Sequence, residues 1–529
     1  MSEVVTDRDK EYEVREQESA PDADQAMDER VNNRSLRPRS EAFKEFMRSG
    51  WADDDPDIAP LEASKFTPAR LEALGRAFVG ERLVIPAGQP KVRSNDCDYM
   101  FRPDTTFAYY TGLGTDYEAG AVLVLNPLDP NGPEAKAGKT HMPELFVAPR
   151  ADNSTTDFFT NPHYGEYWVG PRAGLREMQA MTGIETHDIA QLADALSKDV
   201  GTQAGAVRVR VVRETDPEIT ALVENVRKAN GLGDPDGNAA DDDKLHEFAA
   251  EARLTKDAYE IGEMRKTITA TKAGFDRLLS ALPDALDKPR SERILEGAFN
   301  SVSRELGNAV GYDSIIASGP HAPILHWMRN TGCVKSGDLL LVDAGVEVDS
   351  LYTADITRTF PTNGKFTDLQ KRLYQAVLDS QQAGFEAAKV GATYCDIHHA
   401  CMRVIAERLH DWGLLPVSVE EALSPEGQQH RRWLACGVAH HLGLDVHDCA
   451  QARFEAYQGA PIRPGMIFTI EPGLYFREDD MLIPPEFRGI GIRIEDDVLM
   501  GENGPEWLSA SIPKEIDAVE AWMAEHAQA

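Results

Sequence analysis

The hydrophobic pattern divides the chain into a polar N-terminal stretch and two regions of regular secondary structure. Residues 1–40 are rich in Glu, Asp, Arg and Gln and almost lack large apolar side chains, so we expect a disordered acidic tail. From residue 41 to residue 240, short apolar segments alternate with turns and amphipathic stretches, which predicts an N-terminal α/β domain. The predicted strands include Glu81–Ile85, Ala121–Leu125 and Glu144–Ala148, and the predicted helices Leu175–Met181 and Leu192–Asp199.

A second region follows a turn-rich, charged segment, Gly231–Asp243, which is typical of a loop or linker. Apolar residues then recur at helical spacing, and from Ser314 onward short strands dominate. Helices are predicted at about Asp368–Lys389 and Ile397–Asp411. We therefore expect residues 255–529 to form a larger α+β domain.

The charge balance narrows the partners that the protein can have. The chain has 55 Lys and Arg against 88 Asp and Glu, a formal net charge of −33, so its surface repels nucleic-acid phosphates and anionic lipids. No apolar run approaches the length of a membrane-spanning helix, and the N-terminus carries no secretory pattern. The six cysteines form no CxxC pair, which is typical of reduced thiols. We expect a cytoplasmic protein that binds neither nucleic acid nor membranes.

Four strand-like segments each carry an acid, and the spacing predicts that these acids face each other in two pairs. Asp343 and Asp355 lie symmetrically about Asp349, so a hairpin centred there would make them direct cross-strand neighbours, with Cβ atoms about 4.5–5.5 Å apart. Glu471 and Glu495 are likewise symmetric about the middle of a loop that contains two prolines. Each hairpin would therefore place two like charges side by side.

Like charges in a half-buried sheet are unfavourable unless a proton is retained or a cation lies between them. Four carboxylates would be neutralised by two divalent ions, as in two-metal hydrolytic sites. Ala439–Asp448 adds three histidines, and an oxygen-rich set with one imidazole favours Mn²⁺, or else Co²⁺ or Fe²⁺, over a thiolate-type zinc site. Taken singly, each residue also fits a turn, a surface ion pair, a solvated charge or a core histidine.

Five motifs together resemble the pita-bread-fold metallopeptidases, and most closely the aminopeptidase P (Xaa-Pro aminopeptidase) family. They are Leu341–Gly345, Ala354–Pro361, His440–Asp448, Glu471–Tyr475 and Arg488–Asp497. Upstream, Phe101-Arg102-Pro103, Phe107–Gly112 and Glu166–Gly170 resemble the N-terminal domain of that family. The resemblance implies an α/β N-terminal domain followed by an α+β pita-bread (creatinase/aminopeptidase-like) catalytic domain.

The resemblance also implies a set of metal ligands. Asp343 would bind one ion, Asp355 and Glu495 would bridge both ions, and His440 and Glu471 would bind the second ion. The cofactor implied is a pair of divalent ions, most often Mn²⁺.

Further residues match positions that act on the substrate in the family. Glu471 would shuttle a proton, and His447 and His326 would stabilise the tetrahedral intermediate. Arg493 would orient ligand carboxylates, and Trp168 would help to close a pocket for proline. The plain alternatives are loop-packing histidines and a surface arginine.

Two positions depart from the family pattern. Cys436 stands where close relatives often have a histidine. Thr106 stands where some relatives have an acid that contacts the substrate amine across a subunit boundary. These departures put the proton relay and the amine contact in question.

The implied function is a metallo-exopeptidase that releases the N-terminal residue from peptides with proline at the second position, by a hydroxide activated at two metal ions. The nearest alternative is an Xaa-Pro dipeptidase (prolidase), which has the same fold and ligands. An alternative from another class is a non-catalytic pita-bread module that binds peptides. The resemblance further implies a homodimer or homotetramer.

Overall fold

The structure is a computed structural model that describes residues 40–52, 58–95, 97–115, 119–201 and 206–527. The acidic tail predicted for residues 1–40 therefore lies, apart from Ser40, outside the described residues. An α/β part and an α+β part follow each other along the chain, as the hydrophobic pattern predicts. Among the helices that the structure describes, none combines the length and the apolar composition needed to cross a bilayer.

The N-terminal part interleaves short helices with strands. Its strands are β1 (Glu81–Pro86), β2 (Val92–Ser94), β3 (Cys97–Asp98), β4 (Val122–Pro127), β5 (His141–Val147), β6 (Glu185–Asp188) and β7 (Arg208–Val211). Its helices are α1 (Glu41–Met47), α2 (Thr67–Ala77), α3 (Thr105–Thr111), α4 (Pro133–Lys136), α5 (Asp157–Thr160), α6 (Glu166–Val169), α7 (Leu175–Thr182), α8 (Leu192–Ser197), α9 (Pro217–Ala229) and α10 (Pro235–Ala252).

Five of these strands form one mixed sheet in the order β6-β5-β4-β1-β7. Strand β4 is antiparallel to β1 and β5, whereas β1–β7 and β5–β6 are parallel pairs. Side chains alternate between the two faces of the sheet, and both faces are buried. Leu83 and Leu123 pack into the core that continues into the C-terminal part, and Val84 and Val124 pack into a second, smaller core. The strands predicted here are confirmed.

The linker predicted at Gly231–Asp243 is wrong from Pro235 onward, because helix α10 begins there. Asp234 caps the helix by accepting a hydrogen bond from the Gly237 N–H, and proline is favoured at the first helical position. The polar residues form the first turns of the helix, whose later residues Leu245 and Ala249 are buried. Composition alone suggests a loop because the packed apolar residues come late in the helix.

The C-terminal part combines long helices with short strands. Its helices are α11 (Ala258–Ala285), α12 (Ser291–Leu306), α13 (Asp368–Ala387), α14 (Tyr394–Asp411), α15 (Val419–Leu423), α16 (Phe454–Tyr457) and α17 (Ile516–His526). Its strands are β8 (Ala309–Val310), β9 (Ile315–Ser318), β10 (Leu339–Ala344), β11 (Val346–Glu347), β12 (Ile356–Pro361), β13 (Ile467–Ile470), β14 (Gly473–Phe476), β15 (Ile490–Arg493), β16 (Asp496–Gly501) and β17 (Gly504–Trp507).

These strands form small antiparallel sheets, in the orders β12-β10-β9, β13-β16-β17, β14-β15 and β11-β8. Helix α11 packs along α12, and α13 packs along α14. A buried ion pair connects two of the sheets, since Arg358 of β12 donates to Asp496 of β16 over 2.7 Å. The Glu495 N–H donates to the Thr357 carbonyl over 3.1 Å, so the β15–β16 junction lies against β12.

The first predicted hairpin has a different register. Asp343 lies opposite Thr357, so the pairing is centred on Ser350 and the two aspartates are diagonal rather than direct neighbours. The prediction is wrong by one residue, because the tight turn spans residues 348–351, where the Leu351 N–H donates to the Val348 carbonyl over 2.7 Å. The second hairpin is confirmed.

In the second hairpin, Gly473 lies opposite Arg493, and Ile470 lies opposite Asp496. The β13–β16 and β14–β15 ladders therefore share one register. Glu471 and Glu495 occupy the gap between the two ladders, at positions that this shared register places opposite each other.

Buried charges fix the segment 440–448 to the start of the C-terminal part. The Asp448 carboxylate accepts from Arg253 Nε over 3.0 Å and from Lys256 Nζ over 3.2 Å, and all three side chains are buried. The two cations hold the pKa of Asp448 well below its usual range, against the effect of burial. Gly443 packs against this group so closely that a Cβ atom would lie 2.7 Å from Asp448 Oδ2.

Replacing Asp448 by Asn should destabilise the protein strongly, because two buried cations would lose their carboxylate. We expect the free energy of unfolding to fall by about 3–5 kcal/mol, measured by urea denaturation. The matched control is D479N, since Asp479 pairs with Arg477 on the surface and should change stability by at most about 0.5 kcal/mol. Equal stability of D448N and D479N would contradict the role given to the buried charges.

Candidate metal centre

The four predicted acids lie at strand ends in one place of the C-terminal part. Asp343 is the penultimate residue of β10, and Asp355 directly precedes β12. Glu471 directly follows β13, and Glu495 lies between β15 and β16. All of them are largely buried, so the strands direct four carboxylates into a shared interior region.

His440 reaches the same region because its backbone runs beside β13. The Thr469 N–H donates to the His440 carbonyl over 2.8 Å, and the Glu471 N–H donates to the Val438 carbonyl over 2.8 Å. The neighbouring His441 has the opposite orientation and stacks on Tyr394, with ring centroids 5.0 Å apart. Of these two adjacent histidines, only His440 faces the acids.

The imidazole of His440 lies among three of the carboxylates. Its Nε2 atom is 3.3 Å from Asp355 Oδ2, 3.7 Å from Glu471 Oε1 and 3.9 Å from Glu495 Oε1. Ligand atoms of Asp355, His440 and Glu495 all lie within 4.8 Å of one another, a spacing that one metal ion could span.

Tyr312 connects Asp343 to this group. Its hydroxyl lies 2.7 Å from Asp343 Oδ1 and 2.5 Å from Asp355 Oδ1, within hydrogen-bond distance of both carboxylates. Arg493 binds the other oxygen of Asp343. The five side chains predicted as ligands therefore form one continuous cluster.

The cluster carries more negative charge than the protein neutralises. Burial and the neighbouring acids raise the pKa of Glu495 well above its usual range, and burial raises the pKa of Glu471 to about 7. Burial also raises the pKa of Asp343. Burial favours the protonated form of Asp355, but His440, Tyr312 and Arg493 together outweigh it and lower the pKa of this carboxyl. Burial opposes the charge of His440, but Asp355 and Glu471 raise its pKa to about 9. Without a further cation, protons remain in the cluster.

One oxygen in the cluster supports a metal site directly. Glu495 Oε2 accepts from the Thr357 hydroxyl over 2.7 Å, but Oε1 is buried and has no hydrogen-bond partner among the described residues. A buried carboxylate oxygen left without a donor is costly, and a cation would satisfy it. The donor set of four carboxylates and one imidazole fits hard divalent ions.

Arg493 holds the carboxylates through an outer layer of hydrogen bonds. Besides Asp343, it donates to the Thr357 hydroxyl over 3.0 Å and to the Tyr475 hydroxyl over 3.0 Å. Because Thr357 in turn donates to Glu495, the guanidinium fixes one ligand carboxylate directly and another through a threonine. Such outer contacts orient metal ligands.

The other predicted site residues lie at different distances from the cluster. The His447 ring packs edge-on against His440, with centroids 4.5 Å apart. Burial lowers the pKa of His447, and the charge of His440 lowers it further. His326 is exposed in the turns that follow β9, and its role at the substrate stays a prediction. Trp168 lies in α6 and donates to the Phe159 carbonyl over 2.9 Å, so its indole contacts the N-terminal part and its role at the substrate stays a prediction.

The structure shows the surroundings of Cys436 and Thr106, the two residues that depart from the family pattern. Burial, followed by the charge of Glu471, raises the pKa of Cys436 to about 11, so its thiol is neutral at pH 7. Thr106 is buried in the first turn of α3, where its N–H binds the Asp104 cap. Neither residue carries the charge that a histidine or an acid would bring to these positions.

Sequence reasoning missed Tyr312 and Thr357, which contact three of the five ligands. The motif around Asp355 contains Thr357, and its position two residues after the acid on the same strand face was the available signal. Tyr312 precedes β9 in a polar turn, and no periodicity predicts its contact with residues 31 and 43 positions later.

Two family models match the chain. Residues 262–502 match metallopeptidase family M24, and residues 68–207 match the aminopeptidase P N-terminal domain. Xaa-Pro aminopeptidase 1 of Streptomyces coelicolor is 45% identical over 487 residues, which cover 92% of each chain. Xaa-Pro aminopeptidase 2 of the same organism is 42% identical over 502 residues, covering 95% of this chain and 100% of that protein.

Solved structures show the same architecture. Aminopeptidase PepP of Pseudomonas aeruginosa superposes with a TM-score of 0.74 at 29% identity, covering 88% of this chain and 99% of that one. The low-pH form of aminopeptidase P from Escherichia coli gives a TM-score of 0.74 at 27% identity, covering 90% and 100%. The expected fold, an α/β N-terminal domain with a pita-bread C-terminal domain, is confirmed.

Removing the Tyr312 hydroxyl should weaken metal binding without unfolding the protein. We expect Y312F to bind Mn²⁺ about 10–100-fold more weakly, measured by isothermal titration calorimetry, because two carboxylates lose the group that orients them. The matched control is Y374F, since Tyr374 is also buried but donates to the Lys514 carbonyl outside the cluster. Equal Mn²⁺ affinities of the two variants would contradict the role given to Tyr312.

Proposed function

The chain belongs to metallopeptidase family M24, and from this premise we propose that it is an Xaa-Pro aminopeptidase. The proposed reaction is release of the N-terminal residue from peptides that have proline at the second position. The observation that carries the proposal is the convergence of four carboxylates and one imidazole in a chain that also matches the N-terminal domain of aminopeptidase P. Relatives that bear the name Xaa-Pro aminopeptidase match nearly the whole chain.

We assign the cofactor as two divalent ions, most simply Mn²⁺. Asp343 would hold one ion, His440 and Glu471 the other, and Asp355 and Glu495 both. The support for this assignment is the hard, oxygen-rich donor set, the excess of buried negative charge and the unpartnered oxygen of Glu495. When bound, such ions make hydroxide available near neutral pH.

Glu471 is proposed as the proton carrier. It follows β13 at the edge of the cluster, and its side chain is more exposed than those of Asp355 and Glu495. A carboxylate that is both buried and close to other acids can hold a proton and release it near neutral pH. Glu471 would take a proton from the attacking water and give it to the prolyl nitrogen that leaves.

His447 and His326 are proposed to stabilise the developing oxyanion. Both residues are exposed, and His447 contacts the ring of His440. Neutral imidazoles near developing negative charge donate N–H groups at little cost. A bond to proline has no N–H for the enzyme to recognise, so specificity requires a pocket for the ring, which Trp168 would help to close.

We also propose where the enzyme acts and how many subunits it has. The strongly acidic chain is proposed to act in the cytoplasm, on peptides rather than on nucleic acids or membranes. A homodimer or homotetramer is proposed from the family resemblance.

The direct test is a peptide panel assayed after chelation and again after addition of Mn²⁺. The wild type should release Arg from Arg-Pro-Pro only with the metal, detected by mass spectrometry. E471A should lower kcat by about 10³-fold, because the proton carrier is lost. The matched control is E407A, an exposed acid of α14 that should retain wild-type kcat.

Two outcomes would contradict the proposal in different ways. Hydrolysis of the dipeptide Arg-Pro without hydrolysis of Arg-Pro-Pro would indicate a dipeptidase. Metal binding without any hydrolysis would favour the peptide-binding module.

A further inference from the structure

Arg102 of the N-terminal domain extends into the catalytic domain, beside the segment that carries His440 and His447. Its Nη2 atom donates to the Leu444 carbonyl over 2.6 Å and lies 3.2 Å from Asp445 Oδ1. The residue belongs to the Phe101-Arg102-Pro103 motif, to which the proposed mechanism gives no role.

The same guanidinium also binds the hairpin that precedes Asp355. Arg102 Nε donates to Glu347 Oε2 over 2.8 Å. Glu347 forms a β-bridge with Thr353, two residues before the predicted ligand Asp355. The Thr353 N–H in turn donates to the Gly443 carbonyl over 2.9 Å. One planar group therefore joins two segments that each lead to a predicted ligand.

Further hydrogen bonds fix the two acids that Arg102 contacts, Asp445 and Glu347. Thr105, at the start of α3, donates to Asp445 Oδ1 over 2.8 Å. Asn308 donates to Glu347 Oε1 over 2.7 Å, so both oxygens of this buried carboxylate are occupied. The segment 440–448 is held at Asp448 by Arg253 and Lys256 and at its middle by Arg102.

We propose that Arg102 is a positioning residue that sets His447 and His440 in place relative to Asp355. The proposal rests on the proposed peptidase function. It gives the N-terminal domain a direct part in arranging the catalytic groups of its own chain. An arginine suits this role because its planar fork can bind Glu347 and the Leu444–Asp445 turn at the same time, whereas a lysine can occupy only one of these positions.

The test compares R102A and R102K with the wild type in the Mn²⁺-loaded full chain. For R102A we expect kcat on Arg-Pro-Pro to fall by about 10²-fold with little change in KM, because a small displacement of catalytic groups is costly. R102K should show an intermediate loss. The matched control is R265A, which removes an exposed arginine paired with Glu506 and should retain wild-type kcat.

Amide hydrogen exchange supplies a readout that a general loss of stability would not reproduce. In R102A, exchange should become faster within 440–448 and remain unchanged in the core strands, such as β10. Wild-type kcat together with wild-type exchange in R102A would overturn the proposal, as would faster exchange throughout the protein.

The proposal can still be tested if R102A does not fold or if the wild type hydrolyses no peptide. If R102A does not fold, kcat and the hydrogen exchange of 440–448 are measured for R102K instead. Wild-type values of both in R102K would overturn the proposal, because a lysine could then replace the planar guanidinium. If the wild type itself hydrolyses no peptide, the proposed function fails, whereas the exchange of 440–448 still tests whether Arg102 holds this segment.

Discussion

The mutual repulsion of four buried carboxylates is the constraint that the rest of the C-terminal part has to accommodate. Asp343, Asp355, Glu471 and Glu495 lie at four different strand ends, and the two cations beside them, His440 and Arg493, leave the group with a net negative charge. Placing these groups together costs free energy that the hydrophobic core around them must offset. The arrangement is therefore informative, because a protein without a cation at this place would gain stability from apolar side chains instead.

The surrounding structure limits how far the carboxylates can move apart. Buried pairs such as Arg358–Asp496 connect β12 to β16 directly beside Glu495. Arg493 and Tyr312 each hold oxygens of Asp343, so the carboxylate keeps a defined orientation. In this view the small antiparallel sheets serve as a rigid frame, and polar contacts behind the cluster determine where each oxygen points.

Much of the metal centre could be predicted from the sequence, because an acid in or beside an apolar strand is recognisable from the neighbouring residues alone. The symmetric spacing of Glu471 and Glu495 gave the correct register because one ladder continues on both sides of the pair. The same argument placed Asp343 and Asp355 one residue out of register, because the hairpin closes in a turn at residues 348–351 that the spacing of the acids does not locate. Long-range contacts such as those of Tyr312 and Arg102 have no periodicity. Helix α10 was missed because its apolar face comes late in a charged segment.

The central claim is that these five side chains enclose two divalent ions, and anomalous diffraction tests it most directly. Crystals grown with Mn²⁺ and measured on both sides of the manganese absorption edge should show two difference peaks. Both peaks should lie among Asp343, Asp355, His440, Glu471 and Glu495, about 3.5–4 Å apart. An absence of peaks in this cluster, with all five side chains ordered, would contradict the account.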